Sequence, residues 1–579
     1  MSEARLVRVA GAVVEAEPMD AALYELVRVG RSGILGEVVR IDGARATVQV
    51  YEESTGLSLG DPVVPSGAPL SVELGPGLLG SILDGVGRPL DRLAARAGRF
   101  LTAGIEEPTL DSKRIWEFAP RVARGDTVSS GDELGHVMEG VLRHRILVPP
   151  GVTGVIARIE AGEATTADSV AELADGTPLR LAQRWPVRVP RGLVERKESD
   201  RPLVTGQRIL DFLFPAAEGG SVAVPGGFGT GKTVIEQSLA KYAAADVVVF
   251  IGCGERGNEM AEVLEEFPQL EDPRTGLELM QRTVMVVNTS NMPVVAREAS
   301  VYLGISVAEY YRDMGYRVAV LVDSLSRWAE ALRDIGARLQ EMPGEEGYPT
   351  YVASRLARLF ERTGRGRPPG IPEREGAMTL ICAVSPPGGD FSEPITQACL
   401  RVAGCLWALD ADLAHQRQFP AVDWANSYSL YADRCAAWFE AELGVEWGRL
   451  RSEILELLQR EIELREIAGL LGADALQDTD RLLLQVAELT RRELLGQNAY
   501  HPEDAFSRAE KTQQMAALLT QLQRAGAAAL ERGVALESMD LARIRRELSA
   551  LRESPAGEFE EQVKRATLAI GTLSKLEAG

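Results

Sequence analysis

SVAVPGGFGTGKTVIEQSLAKY, residues 221–242, places a short apolar stretch before a glycine-rich loop and a helical pattern after it. Inside it, Gly226-Gly227-Phe228-Gly229-Thr230-Gly231-Lys232-Thr233 satisfies G-x-x-x-x-G-K-[ST], with strand, loop and helix in the order that motif requires. Glycines let the backbone curl until its N–H groups point at phosphate oxygens, and the helix N-terminus adds the positive end of its dipole. Lys232 is placed to reach β- and γ-phosphates, and Thr233 to offer its hydroxyl to Mg²⁺. The chain has only seven lysines, so a chance match is rare and a purely structural glycine turn is the weaker reading.

Outward from this loop, residues 200 to 435 alternate apolar strands with amphipathic helices. DVVVFIGCG, TVMVVNTS, RVAVLVDS and AMTLICAVS read as strands and 294–314 as a helix, the signature of an α/β domain built on a parallel sheet. RVAVLVDSLSRW ends its strand on Asp323. Alone, such a residue is more often a helix N-cap; with the phosphate loop upstream it reads as the carboxylate that holds a Mg²⁺ shell through water. DVVVFIGCG runs into Gly254-Glu255-Arg256-Gly257, and the carboxyl ends of parallel strands face the ligand crevice. A carboxylate there can polarise a water attacking the γ-phosphate, with Arg256 steering it. Spacing alone is better met by a charged surface loop.

The flanks differ in kind. Residues 1–72 alternate in short strands broken by glycine turns and read as a β-barrel. A connecting segment, 73–114, contains a loop-like stretch at 75–91. Residues 115–190 form a β-rich insertion with the rhythm of a barrel sandwich, although Met138-Glu139-Gly140 stands where a carrier lysine would sit. The P-loop domain occupies 191–438, and 439–579 is a helical bundle whose many Arg/Glu pairs read as solvated faces.

Composition narrows function. The 579 residues carry 84 Asp+Glu against 63 Lys+Arg, a net charge of -21, the wrong sign for a protein whose main ligand is nucleic acid. No run of about 18 apolar residues occurs, and the N-terminus lacks the charged start and apolar core of a signal peptide, so neither a spanning segment nor secretion is expected. Five scattered cysteines without a C-x-x-C pair indicate reduced thiols, and four histidines without a cluster argue against zinc.

The series GGFGTGKT, GCGERGNEM, VLVDSLSRWAEALRDIG, EMPGEEGYPTYVASRLARLFERTGR, SPPGGDFSEPITQ and FPAVDWANSYS resembles the catalytic (A) subunits of the V/A-type rotary ATPases over most of the chain. The resemblance implies a P-loop, RecA-like core that hydrolyses or synthesises ATP from ADP and phosphate with Mg²⁺. It implies three such subunits alternating with three non-catalytic B subunits around a central shaft. Peripheral stalk subunits and a separate membrane sector passing H⁺ or Na⁺ complete the assembly, with this chain peripheral on the cytoplasmic side. It assigns Lys232 and Thr233 to phosphate and Mg²⁺, Glu255 to the attacking water and Asp323 to the metal shell. Arg256 and Arg327 fall where site arginines are placed, Phe419 with Pro420 matches the packing against adenine, and Phe506 its opposite wall. Packing in the core is the plainer role for both phenylalanines. Where eukaryotic relatives carry a cysteine between the last two glycines of the loop, this chain has Thr230, so redox silencing through the loop is not expected.

Rival classes fit less well. A non-catalytic ring subunit would lack the loop lysine or the glutamate, and this chain has Lys232 and Glu255. In an F-type β subunit or a secretion ATPase the phosphate loop would come earlier, without some 75 residues of β-rich insertion before it. An RNA translocase would want a basic, aromatic N-terminal domain.

Overall fold

Seven consecutive buried residues in Val247–Cys253, six in Thr283–Asn288 and nine in Gly376–Val384 fix the centre of the molecule. Strands apolar on both faces belong in a parallel sheet covered on both sides. A computed structural model of the chain describes residues 4–98, 104–444, 446–472 and 476–576. The remaining residues of the segments assigned from sequence lie outside the described set. By contact density the chain forms two compact units. One holds residues up to Glu198 with Gly219–Ser221 and Ala245–Ala403; the other holds Ser199–Glu218, Val222–Ala244 and Gly404 onward.

In the first unit the parallel strands run in the order Ile82–Leu83, Thr283–Asn288, Val247–Cys253, Arg317–Asp323 and Gly376–Val384. Register is tight: Gly252 pairs with Asp323 on one side and Val287 on the other. Helix Val294–Asp313, buried along nearly its whole length, packs on these strands. The stretch 75–91, expected as loop, supplies the edge strand Ile82–Leu83; two residues are too few to show periodicity.

The N-terminal strands close into a six-stranded barrel. In Glu25–Val29 buried and half-buried residues alternate, and Leu6, Val14, Val27, Val38, Val48 and Val63 fill the interior, as period-two patterning demands. The insertion folds as two four-stranded sheets around Trp116, Phe118, Leu134, Val137, Ile146 and Leu173. Its hairpin Glu133–Leu147 is pinned by a buried polar relay. His144 Nδ1 lies 2.7 Å from Glu139 Oε2, and Nε2 lies 2.9 Å from the hydroxyl of Tyr310 on helix Val294–Asp313. Glu139 Oε1 accepts from the backbone of Gly77 and Leu79. Burial pushes the Tyr310 hydroxyl well above its ordinary range, so it stays protonated.

The second unit carries the strand Ser221–Pro225, paired in parallel with Cys405–Leu406, and the C-terminal helices, the longest being Trp447–Leu471 and Ala509–Glu531. Phe439 stacks on Trp447 at 4.2 Å between ring centres. Arg208 is fully buried and fully answered. Its guanidinium pairs with Asp504 at 2.6 Å, and donates to the Leu494 carbonyl at 2.8 Å and the Gly496 carbonyl at 2.5 Å. A buried charge persists only when paired and hydrogen-bonded in this way.

Both polar groups are open to mutational test. His144→Ala strands the buried Glu139 carboxylate and Tyr310 hydroxyl and is expected to cost about 2–5 kcal/mol, read as a lower denaturation midpoint. Arg208→Ala leaves the buried Asp504 without its close ion-pair partner, with only the Asn498 N–H and Arg552 at 3.7 Å still facing its other oxygen, and is expected to cost about 3–5 kcal/mol.

Candidate functional site

The phosphate loop connects Ser221–Pro225 to helix Lys232–Tyr242, and its glycines are dictated by what lies above them. A Cβ on Gly226 would sit 2.5 Å from Thr230 Oγ1, and one on Gly231, at φ +82°, would sit 2.6 Å from the Phe419 ring. Gly231 is also the helix N-cap, and no side chain caps that end, so the first-turn N–H groups remain available to an anion. Lys232 Nζ donates to the Gly226 and Gly227 carbonyls at 2.8 Å each. Thr230 Oγ1 donates to Gly227 at 2.9 Å, bracing the loop from within. Thr233 and Phe228 are exposed at its surface.

Phe419 therefore packs directly on the loop. Its aromatic neighbour is Tyr500, edge-on at 5.9 Å. Sequence pattern does not mark Tyr500 for this place; the one signal available is an aromatic in the polar run QNAYHPEDAF, and the structure leaves it largely exposed beside Phe419. Phe506 takes a different place: it lies over Gly206 and 5.5 Å from the ring of Tyr242. Pro420 is buried behind Phe419.

In the first unit a second cluster forms at the carboxyl ends of the parallel strands. Glu255, 8 % exposed, accepts from Ser324 Oγ on its Oε1 at 2.9 Å, and Arg327 Nε stands 3.8 Å from the same oxygen. Arg327 also pairs with Glu330 at 2.9 Å. Burial pulls its guanidinium down, but Glu330, Glu255 and Glu259 together outweigh burial and raise it, so the charge is permanent. The Glu255 main chain is equally fixed: its carbonyl accepts from Ser290 N at 2.9 Å, and the preceding Gly254 N donates to the Asn288 carbonyl at 2.6 Å. Arg297 braces this loop by donating to the Ser290 carbonyl at 2.8 Å. Asp323 closes the neighbouring strand, 9 % exposed. Arg256 is the N-cap of helix Gly257–Glu266, with a side chain 60 % exposed and 3.8 Å from Glu259. Sequence pattern gives no role to Ser324 or Arg297.

Thr233, in the second unit, carries a hydroxyl oxygen and Asp323, in the first, a carboxylate oxygen, each a donor type that Mg²⁺ accepts. Among the described residues no group of three or more His, Cys, Asp or Glu could hold a metal by itself. Among the described residues no helix is long and apolar enough to cross a membrane.

Four family models match along the chain. They are the ATP synthase alpha/beta β-barrel domain over residues 6–67, its barrel-sandwich domain over 107–188, its nucleotide-binding domain over 206–429, and the C-terminal domain of V and A type ATP synthase over 436–538. The V-type ATP synthase alpha chain of Anaeromyxobacter dehalogenans is 57% identical over 555 residues, 96% of each chain. The corresponding A-type ATP synthase chain of Methanopyrus kandleri is 50% identical, again over 96% of each. Among solved structures, the assembled ATPase EscN from the enteropathogenic E. coli type III secretion system aligns with a TM-score of 0.64 at 22% identity. It covers 89% of this chain and 100% of that one, a likeness of fold alone.

All five cysteines are buried, and burial pushes the Cys253 thiol, two residues before Glu255, up to about 12. Thiolate is the reactive form, so the native protein is expected to resist alkylation by iodoacetamide at pH 8 and to label at all five positions only when unfolded, as followed by intact-mass spectrometry.

Proposed function

Since this chain belongs to the family of V-type ATP synthase alpha chains and their A-type counterparts, we propose that its phosphate loop and the Glu255 cluster act on the γ-phosphate of ATP in the residue roles set out below. It is a catalytic, nucleotide-binding component of an ATP synthase or ATPase complex, in which ATP chemistry is coupled to ion transport.

Glu255 carries the reading. A non-catalytic ring subunit needs no carboxylate at this strand end, whereas here one is fixed by its main chain, a serine hydroxyl and an arginine. In hydrolysis Glu255 orients and polarises a water, whose oxygen bonds to the γ-phosphorus as the bond to the β,γ-bridging oxygen breaks. The proton leaves toward Glu255, and ADP and phosphate are the products. Synthesis runs the same steps backward.

Lys232 exchanges its two loop carbonyls for β- and γ-phosphate oxygens, carrying positive charge to where negative charge moves. The backbone N–H groups of Gly229 to Thr233 cradle the phosphates. Thr233, through its hydroxyl, and Asp323, through water, would hold Mg²⁺, which when bound would supply positive charge against the phosphates. Arg256 and Arg327 complete the positive surroundings, Arg327 steadying Glu255. A further arginine comes from the neighbouring chain of the ring. Phe419, backed by Pro420, takes one face of adenine. Tyr500 is the adjoining wall, and Phe506, packed over Gly206 beside Tyr242, is the remaining aromatic assigned to the adenine side. The partners are three non-catalytic B subunits alternating with three copies of this chain, the central shaft, the peripheral stalk and a membrane sector that passes H⁺ or Na⁺, with this chain peripheral on the cytoplasmic side.

In the assembled complex Glu255→Gln is expected to keep nucleotide binding and lose turnover by about 10²–10⁴-fold. Lys232→Ala is expected to lose both. Steady-state hydrolysis and fluorescent-nucleotide titration check the pair, and near-normal turnover by Glu255→Gln would sink the assignment.

A further inference from the structure

Ser324 sits where a serine ordinarily does something else. It is the N-cap of helix Leu325–Arg338, in the extended conformation of a cap residue (φ -135°, ψ 156°), yet its side chain makes no cap hydrogen bond. Among the described α-helices, Ser324, Asp410 and Asp540 are the N-cap residues of the strongly capping types. Asp410 accepts from Leu413 N and Asp540 from Arg543 N, as capping residues do. Ser324 alone leaves its cap unmade and turns its hydroxyl to Glu255 Oε1 at 2.9 Å, where the bond is fully buried. An unmade cap forgoes helix stability. The diversion is toward the one carboxylate in this cluster that has chemistry to do.

The geometry at Glu255 is lopsided. Ser324 and Arg327 both address Oε1, while among the described residues Oε2 has no protein partner. Holding one oxygen restricts rotation of the carboxylate and leaves the lone pairs of the other without a protein partner among the described residues. The serine is itself held, since its N–H donates to the Cys253 carbonyl at 3.2 Å, on the strand that leads into Glu255. Hydroxyl and carboxylate thus move as one body.

We propose that Ser324 is a positioning residue for ATP hydrolysis: its hydroxyl pins Oε1 of Glu255 so that Oε2 meets the attacking water. This rests on the reading of Glu255 as the water-polarising group. Ser324 touches neither nucleotide nor metal in this role, so its removal acts on the chemical step and not on binding.

The test uses the assembled complex with Ser324→Ala, Ser324→Thr, Glu255→Gln and the double variant Ser324→Ala/Glu255→Gln. Steady-state hydrolysis, nucleotide affinity and melting temperature are measured for each. Ser324→Ala is expected to lower kcat about 10–100-fold through misorientation, with nucleotide affinity and KM within about twofold of the parent. Its melting temperature is expected to fall by a few degrees at most, because one buried hydrogen bond is lost and no cap bond with it. Ser324→Thr, which keeps the hydroxyl, is expected to restore most of kcat, and adding Ser324→Ala to Glu255→Gln is expected to cost nothing further. The proposal is overturned by parental kcat in Ser324→Ala, by an affinity loss matching the loss of kcat, by no restoration in Ser324→Thr, or by a loss that multiplies in the double variant. Parental turnover in Glu255→Gln would instead overturn the underlying role of Glu255, a separate outcome.

Discussion

The parallel pairing of Val247–Cys253 with Arg317–Asp323 is the interaction on which the Glu255 cluster depends. Gly252 lies opposite Asp323, so two residues beyond one strand and one residue beyond the other bring Glu255 and Ser324 to the same edge. A one-residue slip would turn every side chain of a strand to the opposite face and separate the pair. The seven buried residues of Val247–Cys253 make such a slip costly, since the helix Val294–Asp313 covers them. The apolar content of these strands thus does more than hold the sheet together: it sets the position of a carboxylate to within a hydrogen bond.

What the strands position in the first unit, backbone positions in the second. The phosphate loop owes its shape to glycines over which Thr230, Leu409 and Phe419 are packed too closely for any side chain. Its charge comes from an uncapped helix end and a single lysine folded onto its own loop. The two clusters are built on opposite principles. One is a set of side chains locked by neighbours, the other a set of backbone donors left open for a ligand to complete.

Legibility from sequence follows the range of the contacts. The P-loop and the strand that ends on Asp323 are readable because each is a strand end or a strand–loop–helix passage within about ten residues, whereas spacing alone makes Glu255 a charged surface loop and only the family resemblance singles it out. The barrel and insertion declare themselves through period-two alternation. The loop-like 75–91 conceals an edge strand of two residues, below any periodicity. Arg208 and Asp504 are 296 residues apart, and His144 and Tyr310 are 166 apart, so no local pattern announces either partnership. Tyr500 is hidden for the same reason: its partner Phe419 lies on a different element, and an aromatic in a polar loop has no period to betray it. The family resemblance supplies the roles of Phe419 and Arg327, which spacing alone cannot.

Ser324 shows where local rules and function part. By its type and its place after a strand it reads as an ordinary helix start, and any reading from propensity would stop there. Only the absent cap bond reveals that the hydroxyl serves elsewhere. Natural sequences agree with their folds at nearly every level, so a residue that fits its position yet declines the interaction the position offers is informative. The same holds for Lys232: a long cation turned back on the carbonyls of its own loop is poorly used for stability and well placed to leave. In both cases the fold tolerates a weak local arrangement beside a strong global one, the buried parallel sheet. That surplus in the core is what permits side chains at its edge to be arranged for chemistry and not for their own best contacts.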